Sequence, residues 1–409
     1  MLFRSFLFIA SYAETITGDC GKNVKYSFDK DNGNFTISGS GPMTDYDYPN
    51  NLSPWCQYEY KINIKSVVIS EGVTTVGAYA FFGCVGLMSI TIPANVSFIG
   101  EGALFKSSNL KSVTIPESVE YIGEWAFYFS GLTSINIPEN VTYIGYGAFG
   151  SCTSMTSINV SPNNKAFKSK EGVLFNYTEN VLLCYPGGKG MNRYFIPFGV
   201  EIIIECAFSR CNYLSSITFP TSIIQIYRNA IEYCERLSSI IIPQSIDTLS
   251  DYAFFRCINL LSVTYLGATV ITNNGNAFIE CNKITEVHVL TTYESNTFCR
   301  YTATKCVHTE LCGTSLSYIF DDCTNVLTIY GVGDMYNYTI DSVPWISFND
   351  SIKSVVISYG VGFIGNNAFS NCTELSSITI PSSVKFIGRL AFSNCLNLIS
   401  VTYNGIDDP

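Results

Sequence analysis

A phrase of about two dozen residues returns along most of this chain, and that return leaves few folds open to it. One copy reads Ser112-Val113-Thr114-Ile115-Pro116, then Val119, Ile122-Gly123 and Ala126-Phe127. The same order appears in Ser89-Ile90-Thr91-Ile92-Pro93 with Val96, Ile99-Gly100 and Ala103, and in Ser134-Ile135-Asn136-Ile137-Pro138 with Val141, Ile144-Gly145 and Ala148-Phe149. Further copies open at Ser157, Ser216, Ser239, Ser262, Ser354, Ser377 and Ser400. Neighbouring copies begin 22 or 23 residues apart wherever the array is uninterrupted.

Each copy has a direct physical meaning. Ser-Val-Thr-Ile alternates polar and apolar with period two, so it predicts a short strand with one buried face. Val113 and Ile115 are expected inside, Ser112 and Thr114 outside. Pro116 ends the strand because it has no N–H for a ladder. Gly123 is expected to let the chain turn, and Ala126-Phe127 returns apolar bulk to the interior. One repeat is then one coil of a right-handed spiral. A single coil buries too little to fold alone, so coils must stack and pair their strands into one continuous parallel sheet.

Two stretches read as hairpin caps. The first holds Val24, Tyr26 and Phe28 in alternation, a turn at Asp31-Asn32-Gly33, then Phe35 and Ile37, then Gly41-Pro42-Met43 and Pro54-Trp55. The second repeats that order with Leu316, Tyr318 and Phe320, then Leu327 and Ile329, then Gly333-Asp334-Met335 and Pro344-Trp345. Open ends of an apolar stack need such covers.

The chain thus divides into a signal-peptide-like segment at 1–13, an N-terminal β cap at 14–65 and a first array at 66–290. A C-terminal cover follows at 291–311, a second β cap at 312–353 and a second array at 354–409. The period fails between 161 and 195, where two apolar runs around Asn176-Tyr177-Thr178-Glu179-Asn180 predict an inserted hairpin. Gly187-Gly188-Lys189 lacks the spacing of a phosphate loop and reads as a turn. Ser400-Val401-Thr402-Tyr403-Asn404-Gly405 matches Ser262-Val263-Thr264-Tyr265-Leu266-Gly267, after which the first array runs on. The second array is therefore expected to stop roughly 30–40 residues early, or to rely on a partner that covers its last coil.

These phrases resemble the BspA-like class of leucine-rich repeats. The match is clear in Leu214-Ser215-Ser216-Ile217-Thr218-Phe219-Pro220 and in Ile364-Gly365-Asn366-Asn367-Ala368-Phe369-Ser370-Asn371-Cys372. The resemblance spans nearly everything after the first residues. It implies a mainly β leucine-rich-repeat solenoid with a parallel sheet, short 3-10 or helical turns and β-hairpin caps. It also implies the role of a surface adhesin that binds a host or matrix protein.

Composition narrows the function classes. The chain is 47% hydrophobic and 14% charged, which no disordered chain is. Its net charge is −10 and it has no Lys/Arg run, so it lacks the basic face that nucleic acid requires. Met1-Leu2-Phe3-Arg4, a short apolar run and small residues before a polar stretch resemble a secretory signal, or else a frayed apolar N-terminus. No other stretch approaches the ~18–20 apolar residues of a membrane span. No Gly-x-Ser-x-Gly, His-Glu-x-x-His or Cys-x-x-Cys occurs, so catalysis and cofactors are not expected. His288 and His308 are the two histidines, and neither has a metal partner at helical or hairpin spacing.

Eight of the 16 cysteines (Cys84, Cys152, Cys211, Cys234, Cys257, Cys281, Cys372, Cys395) occupy one repeat position. Ser107 and Ser130 take the same slot, so bridges cannot be required there. Small buried thiols filling a tight turn fit better. A bridge from the Cys281 coil to Cys299 is also expected.

The expected binding residues form two columns. Ser112, Thr114, Asn136, Asn159, Thr218 and Thr264 give an uncharged outward sheet face. It serves either as self-satisfying Ser/Thr ladders or as a contact face for an extended protein or glycan. Phe98, Tyr121 and Tyr143 give an aromatic column, which is a binding stripe if it faces solvent and core if it faces inward. Nine Asn-x-Ser/Thr triplets occur, and a glycan on Asn159 would block the sheet face. The partner expected is an extracellular, host or matrix protein, glycoproteins included. The alternative is an intracellular scaffold built on the same solenoid.

Overall fold

The computed structural model describes residues 14–56, 61–271 and 275–404. The signal-like segment 1–13 and residues 405–409 lie outside that range. Contacts gather the chain into two compact units. The first holds the described residues up to Gly190 with Ile203–Tyr213 and Asn229–Cys234. The second holds Met191–Ile202, Leu214–Arg228 and the described residues from Glu235 onward. Among the described residues the only helices are two short 3-10 turns, Pro54–Cys56 and Ile346–Phe348.

The first unit opens with an antiparallel meander of Thr15–Gly21, Val24–Asp29 and Asn34–Gly39. Asn34–Gly39 then pairs in parallel with Ser66–Ile69, and that strand with Ser89–Thr91. Two coils later Ser134–Ile137 pairs in parallel with Ser157–Val160. The apolar positions of the repeat point inward as expected: Val67, Ile69, Ile90, Ile135, Ile137 and Ile158 are buried.

Three expectations need correction. Ser112–Ile115 forms no strand, so the ribbon is interrupted there. The coil just before it carries Leu104 where most carry Phe, and Ser107, like Ser130 of the next coil, where others carry Cys; Ser107 Oγ is buried without a hydrogen bond. That coil offers less interior bulk to the copy that follows it, where Val113 is left half-buried. Second, each coil has another strand of only two residues: Thr75–Val76, Phe98–Ile99, Tyr121–Ile122 and Tyr143–Ile144 pair in parallel as a separate ladder. Third, Gly123 serves close approach instead of turning. A Cβ there would lie 2.5 Å from Glu101 N of the preceding coil. The left-handed turn positions fall instead on residues such as Trp125 (φ 52°) and Phe129 (φ 60°). The third side of the coil links to its neighbour by alternate amides, among them Phe127 N to Ala148 O at 2.8 Å and Phe129 N to Gly150 O at 3.0 Å.

The cysteine column has a local cause. Cys152 Sγ donates to Phe127 O at 3.2 Å, Cys234 Sγ to Phe208 O at 3.1 Å and Cys281 Sγ to Phe254 O at 3.0 Å. Each thiol ties its coil to a carbonyl of the coil before it. Burial pushes Cys152 up to about 11 and Cys372 up to about 12, which keeps both as protonated donors. All eight are free thiols. The inserted segment folds as Phe167–Lys170, Val173–Asn176 and Val181–Cys184, all antiparallel. Buried Asn164 anchors it by donating to Pro138 O and Val141 O.

In the second unit one sheet of nine strands runs through Ser239–Ile242, Ser262–Tyr265, Glu286–Leu290, Thr304–Leu311, Leu316–Asp321, Val326–Gly331, Ser354–Ile357, Ser377–Pro381 and Ser400–Asn404. All neighbours are parallel except the two steps on either side of Leu316–Asp321. Thr304–Leu311 is therefore shared: it continues the preceding coils on one edge and opens the second hairpin unit on the other.

Candidate binding surface

The first unit carries an open groove of about 390 Å³ beside the interrupted strand. Thr114, Asn136 and Asn159 line it, together with Glu117 and Val160. Asn136 and Asn159 face each other across parallel strands, with Asn159 Nδ2 donating to Asn136 Oδ1 at 3.0 Å. Ser112, Thr114, Asn136 and Asn159 are all exposed. The far edge is closed by the inserted segment, where Ile158 N donates to Gly172 O at 2.8 Å and Ser169 Oγ to Ile158 O at 2.5 Å. The groove offers amide and hydroxyl groups on one wall and the irregular backbone of Ser112–Ile115 on the other.

The aromatic column sits on the two-residue ladder, a different side of the coil. Phe98 stacks on Tyr121 and Tyr121 on Tyr143, each with ring centroids 4.4 Å apart and planes within 9°. Ile99, Ile122 and Ile144 of the same strands are buried, so the rings point outward. Their faces are turned on one another. Solvent meets ring edges and the Tyr hydroxyls, which is poor geometry for laying a sugar ring flat on an aromatic face.

Thr218 and Thr264 belong to the second unit. Thr218 lines a small pocket with Ser216, Ile241, Leu266 and Tyr330. Thr264 stands in register with His288 on the next strand. The structure thus brings Thr114, Asn136 and Asn159 into one groove with Ser112 beside it, and sets Phe98, Tyr121 and Tyr143 in a separate stack.

Two polar clusters have no counterpart in the sequence pattern. Glu232, 4% exposed, accepts from Tyr128 Oη at 2.7 Å and Ser209 Oγ at 2.6 Å, and Ser209 also meets Ser151 at 2.6 Å. Burial, and then the Glu232 charge, hold the Tyr128 hydroxyl well above its ordinary range. Glu232, Ser209 and Ser151 are all buried, and the network serves as an internal tie.

The second cluster involves both histidines. His288 Nδ1 lies 2.6 Å from Asp321 Oδ2, and His308 Nε2 lies 2.7 Å from Asp322 Oδ2. A ring nitrogen of His288 and the sulfurs of Cys306 and Cys323 all lie within 4.8 Å of one another. The expected Cys281–Cys299 bridge is absent, for both are free thiols. The bridge present joins Cys306 to Cys323, with Cα atoms 5.9 Å apart. Linear spacing could not reveal this, because the partners meet through strand register. The internal duplication was the available signal, since it sets Asp321 opposite Asp29 of the first hairpin unit.

Stacked coils with an apolar strand on the inner side of each turn define a leucine-rich-repeat solenoid. The chain belongs to the BspA type leucine-rich repeat family, whose repeat region matches residues 56–180, 187–305 and 345–407 in six copies. It is similar to a leucine-rich repeat protein from Eubacterium ventriosum, 22% identical over 97% of both chains with a TM-score of 0.55. A leucine-rich repeat protein from Bacteroides ovatus is 23% identical over 93% of both chains with a TM-score of 0.41. A leucine rich cell surface protein from Faecalibacterium prausnitzii is 20% identical over 97% of both chains with a TM-score of 0.36. Of these, the first likeness supports the fold. No curated protein matches the sequence.

Proposed function

We propose that this chain is a non-catalytic adhesion module, secreted or held at the cell surface, which binds an extended segment of an extracellular host or matrix protein, glycoproteins included. The observation that carries this reading is the groove at Thr114, Asn136 and Asn159, where a ladder interruption leaves strand backbone beside uncharged hydrogen-bonding side chains. An extended peptide is recognised by backbone hydrogen bonds along a strand, with side-chain pockets adding selectivity. The Cys306–Cys323 bridge supports an oxidising compartment, and no helix among the described residues is long and apolar enough to cross a membrane.

The rival reading, an intracellular scaffold, draws on the fourteen free cysteines. Labelling intact cells with a membrane-impermeant amine reagent separates the two. Labelled protein supports the surface reading, and protein labelled only after lysis sinks it. For the groove, the full chain is tested against immobilised extracellular matrix proteins. Thr114→Lys and Asn159→Lys are expected to weaken capture at least about tenfold, a loss of roughly 1.4 kcal/mol. Equal capture by both variants rules the groove out. The same loss from Tyr143→Ser instead moves the contact to the aromatic stack.

A further inference from the structure

We propose that His288, Cys306 and Cys323, with Asp321 beside them, form a zinc-class metal site that opens when the Cys306–Cys323 bridge is reduced. The three donors come from three segments. His288 lies on Glu286–Leu290, Cys306 on Thr304–Leu311, and Cys323 in the turn after Leu316–Asp321. Structural zinc sites require donors that converge from different directions, which the single-file cysteine column cannot supply. Here a ring nitrogen and both sulfurs fall within 4.8 Å of one another. Asp321 touches the set twice, through Oδ2 to His288 Nδ1 at 2.6 Å and through Oδ1 to Cys306 Sγ at 3.5 Å. A carboxylate in that place either orients the imidazole or takes the fourth position.

His288 is itself unusual for its column. It stands in the outward strand position that Ile241 and Thr264 occupy in the preceding coils, where Ile241 is 36% exposed, yet it is only 6% exposed. The fold of the hairpin does not call for the cysteines. In the first hairpin unit Asp29 Oδ1 accepts from Asp31 N at 3.0 Å and Asn32 N at 3.2 Å. In the second, Asp321 Oδ1 accepts from Cys323 N at 2.9 Å and Thr324 N at 3.3 Å. The turn is the same, and the first unit builds it with Glu14 and Asp31 where the second has Cys306 and Cys323. The sulfurs are therefore additions to a turn that stands without them. Cys323 is exposed, which gives a reductant and a cation a way in.

The exchange balances. A thiol reductant supplies two electrons and two protons: the Sγ–Sγ bond breaks, two protein thiols form, and two reductant thiols leave as their disulfide. A divalent cation then displaces one proton from each thiol and forms two metal–sulfur bonds. The sulfurs need only part to about 3.8 Å, the separation of two thiolates on a tetrahedral zinc with bonds near 2.3 Å. Bridge and metal are alternative occupants of one place, so the join between the coils and the hairpin unit would be closed in either redox state.

Cobalt(II) titration of the full chain tests this, since tetrahedral thiolate sites give a charge-transfer band and strong visible absorption. The protein is reduced with a dithiol, desalted under nitrogen and titrated, and zinc is then added. One equivalent of tetrahedral cobalt, displaced by zinc and missing from the oxidised protein, is expected. Cys306→Ser/Cys323→Ser should abolish the band, and Cys299→Ser should leave it intact. His288→Gln and Asp321→Asn, checked for folding by circular dichroism, should weaken binding by about 10–100-fold. The proposal fails if the reduced native chain shows no such band. It fails equally if the double serine variant keeps it, for the cobalt would then sit on other thiols.

Discussion

The two hairpin units, one around Val24–Asp29 and one around Leu316–Asp321, share a plan and differ in what lies outside them. In both, a buried Trp closes the stack by donating to a carbonyl of the first coil: Trp55 Nε1 to Ala80 O at 2.7 Å, Trp345 Nε1 to Ala368 O at 3.0 Å. In both, a third strand hands over to a parallel coil, Asn34–Gly39 to Ser66–Ile69 and Val326–Gly331 to Ser354–Ile357. The outward faces part company. Register equates Thr15, Ser27 and Ser38 of the first with Val307, Ile319 and Tyr330 of the second. The apolar trio buries itself with Leu266 in a small second core, while Thr15 and Ser38 stay exposed. One module can thus face solvent or be spliced into an array, and a few outward side chains decide which.

The largest effect expected is from the shared anchor. Trp55→Ala and Trp345→Ala should each remove about 3–5 kcal/mol from the unit they close, read by urea unfolding. A large loss in only one would break the equivalence. Next, Ile319→Ser with Tyr330→Ser makes the second outward face resemble the first. It should remove about 2–5 kcal/mol and speed hydrogen exchange along Thr304–Leu311, whereas Ser27→Ile should stay within about 0.5 kcal/mol. Gly77 and Gly365 occupy equivalent places, and a Cβ on either would collide with a backbone oxygen of its own cap, Thr44 O or Tyr336 O. Gly77→Ala and Gly365→Ala should each destabilise by about 1–3 kcal/mol, seen as lower thermal midpoints. The smallest effect concerns pH. The Asn32 side chain is the main cause that holds the Asp29 carboxyl below its ordinary range. Its support is present above the unfolded value near pH ~3.9 and fades as pH falls through the lower folded value. Asp29→Asn should flatten the acid limb of the unfolding profile in that window, because it removes at neutral pH the small support that the native chain loses only on acidification.

Much of this architecture is legible in the order of the amino acids alone. Val67, Ile69, Ile135 and Ile137 announce their burial through period two, and the paired Trp-containing stretches announce the duplicated hairpin. Tyr121-Ile122 and Tyr143-Ile144 do not announce a second ladder, because two residues are too few to display a period. Gly123 misleads because a glycine needed for close approach and one needed for a turn look alike in sequence. The gap at Ser112–Ile115 has no signal in its own residues, which keep the alternation of the other copies. The groove's Thr114, Asn136 and Asn159 are legible as one column, while the meeting of His288 with Asp321, Cys306 and Cys323 depends on how separate strands line up.

The two antiparallel steps around Leu316–Asp321 cancel each other. Glu286–Leu290 and Ser354–Ile357 consequently run in the same direction, although a hairpin unit lies between them. A meander with an even count of reversals is neutral to polarity. Once its outward face is apolar it can be copied into a growing array, and the coils downstream keep their strand direction.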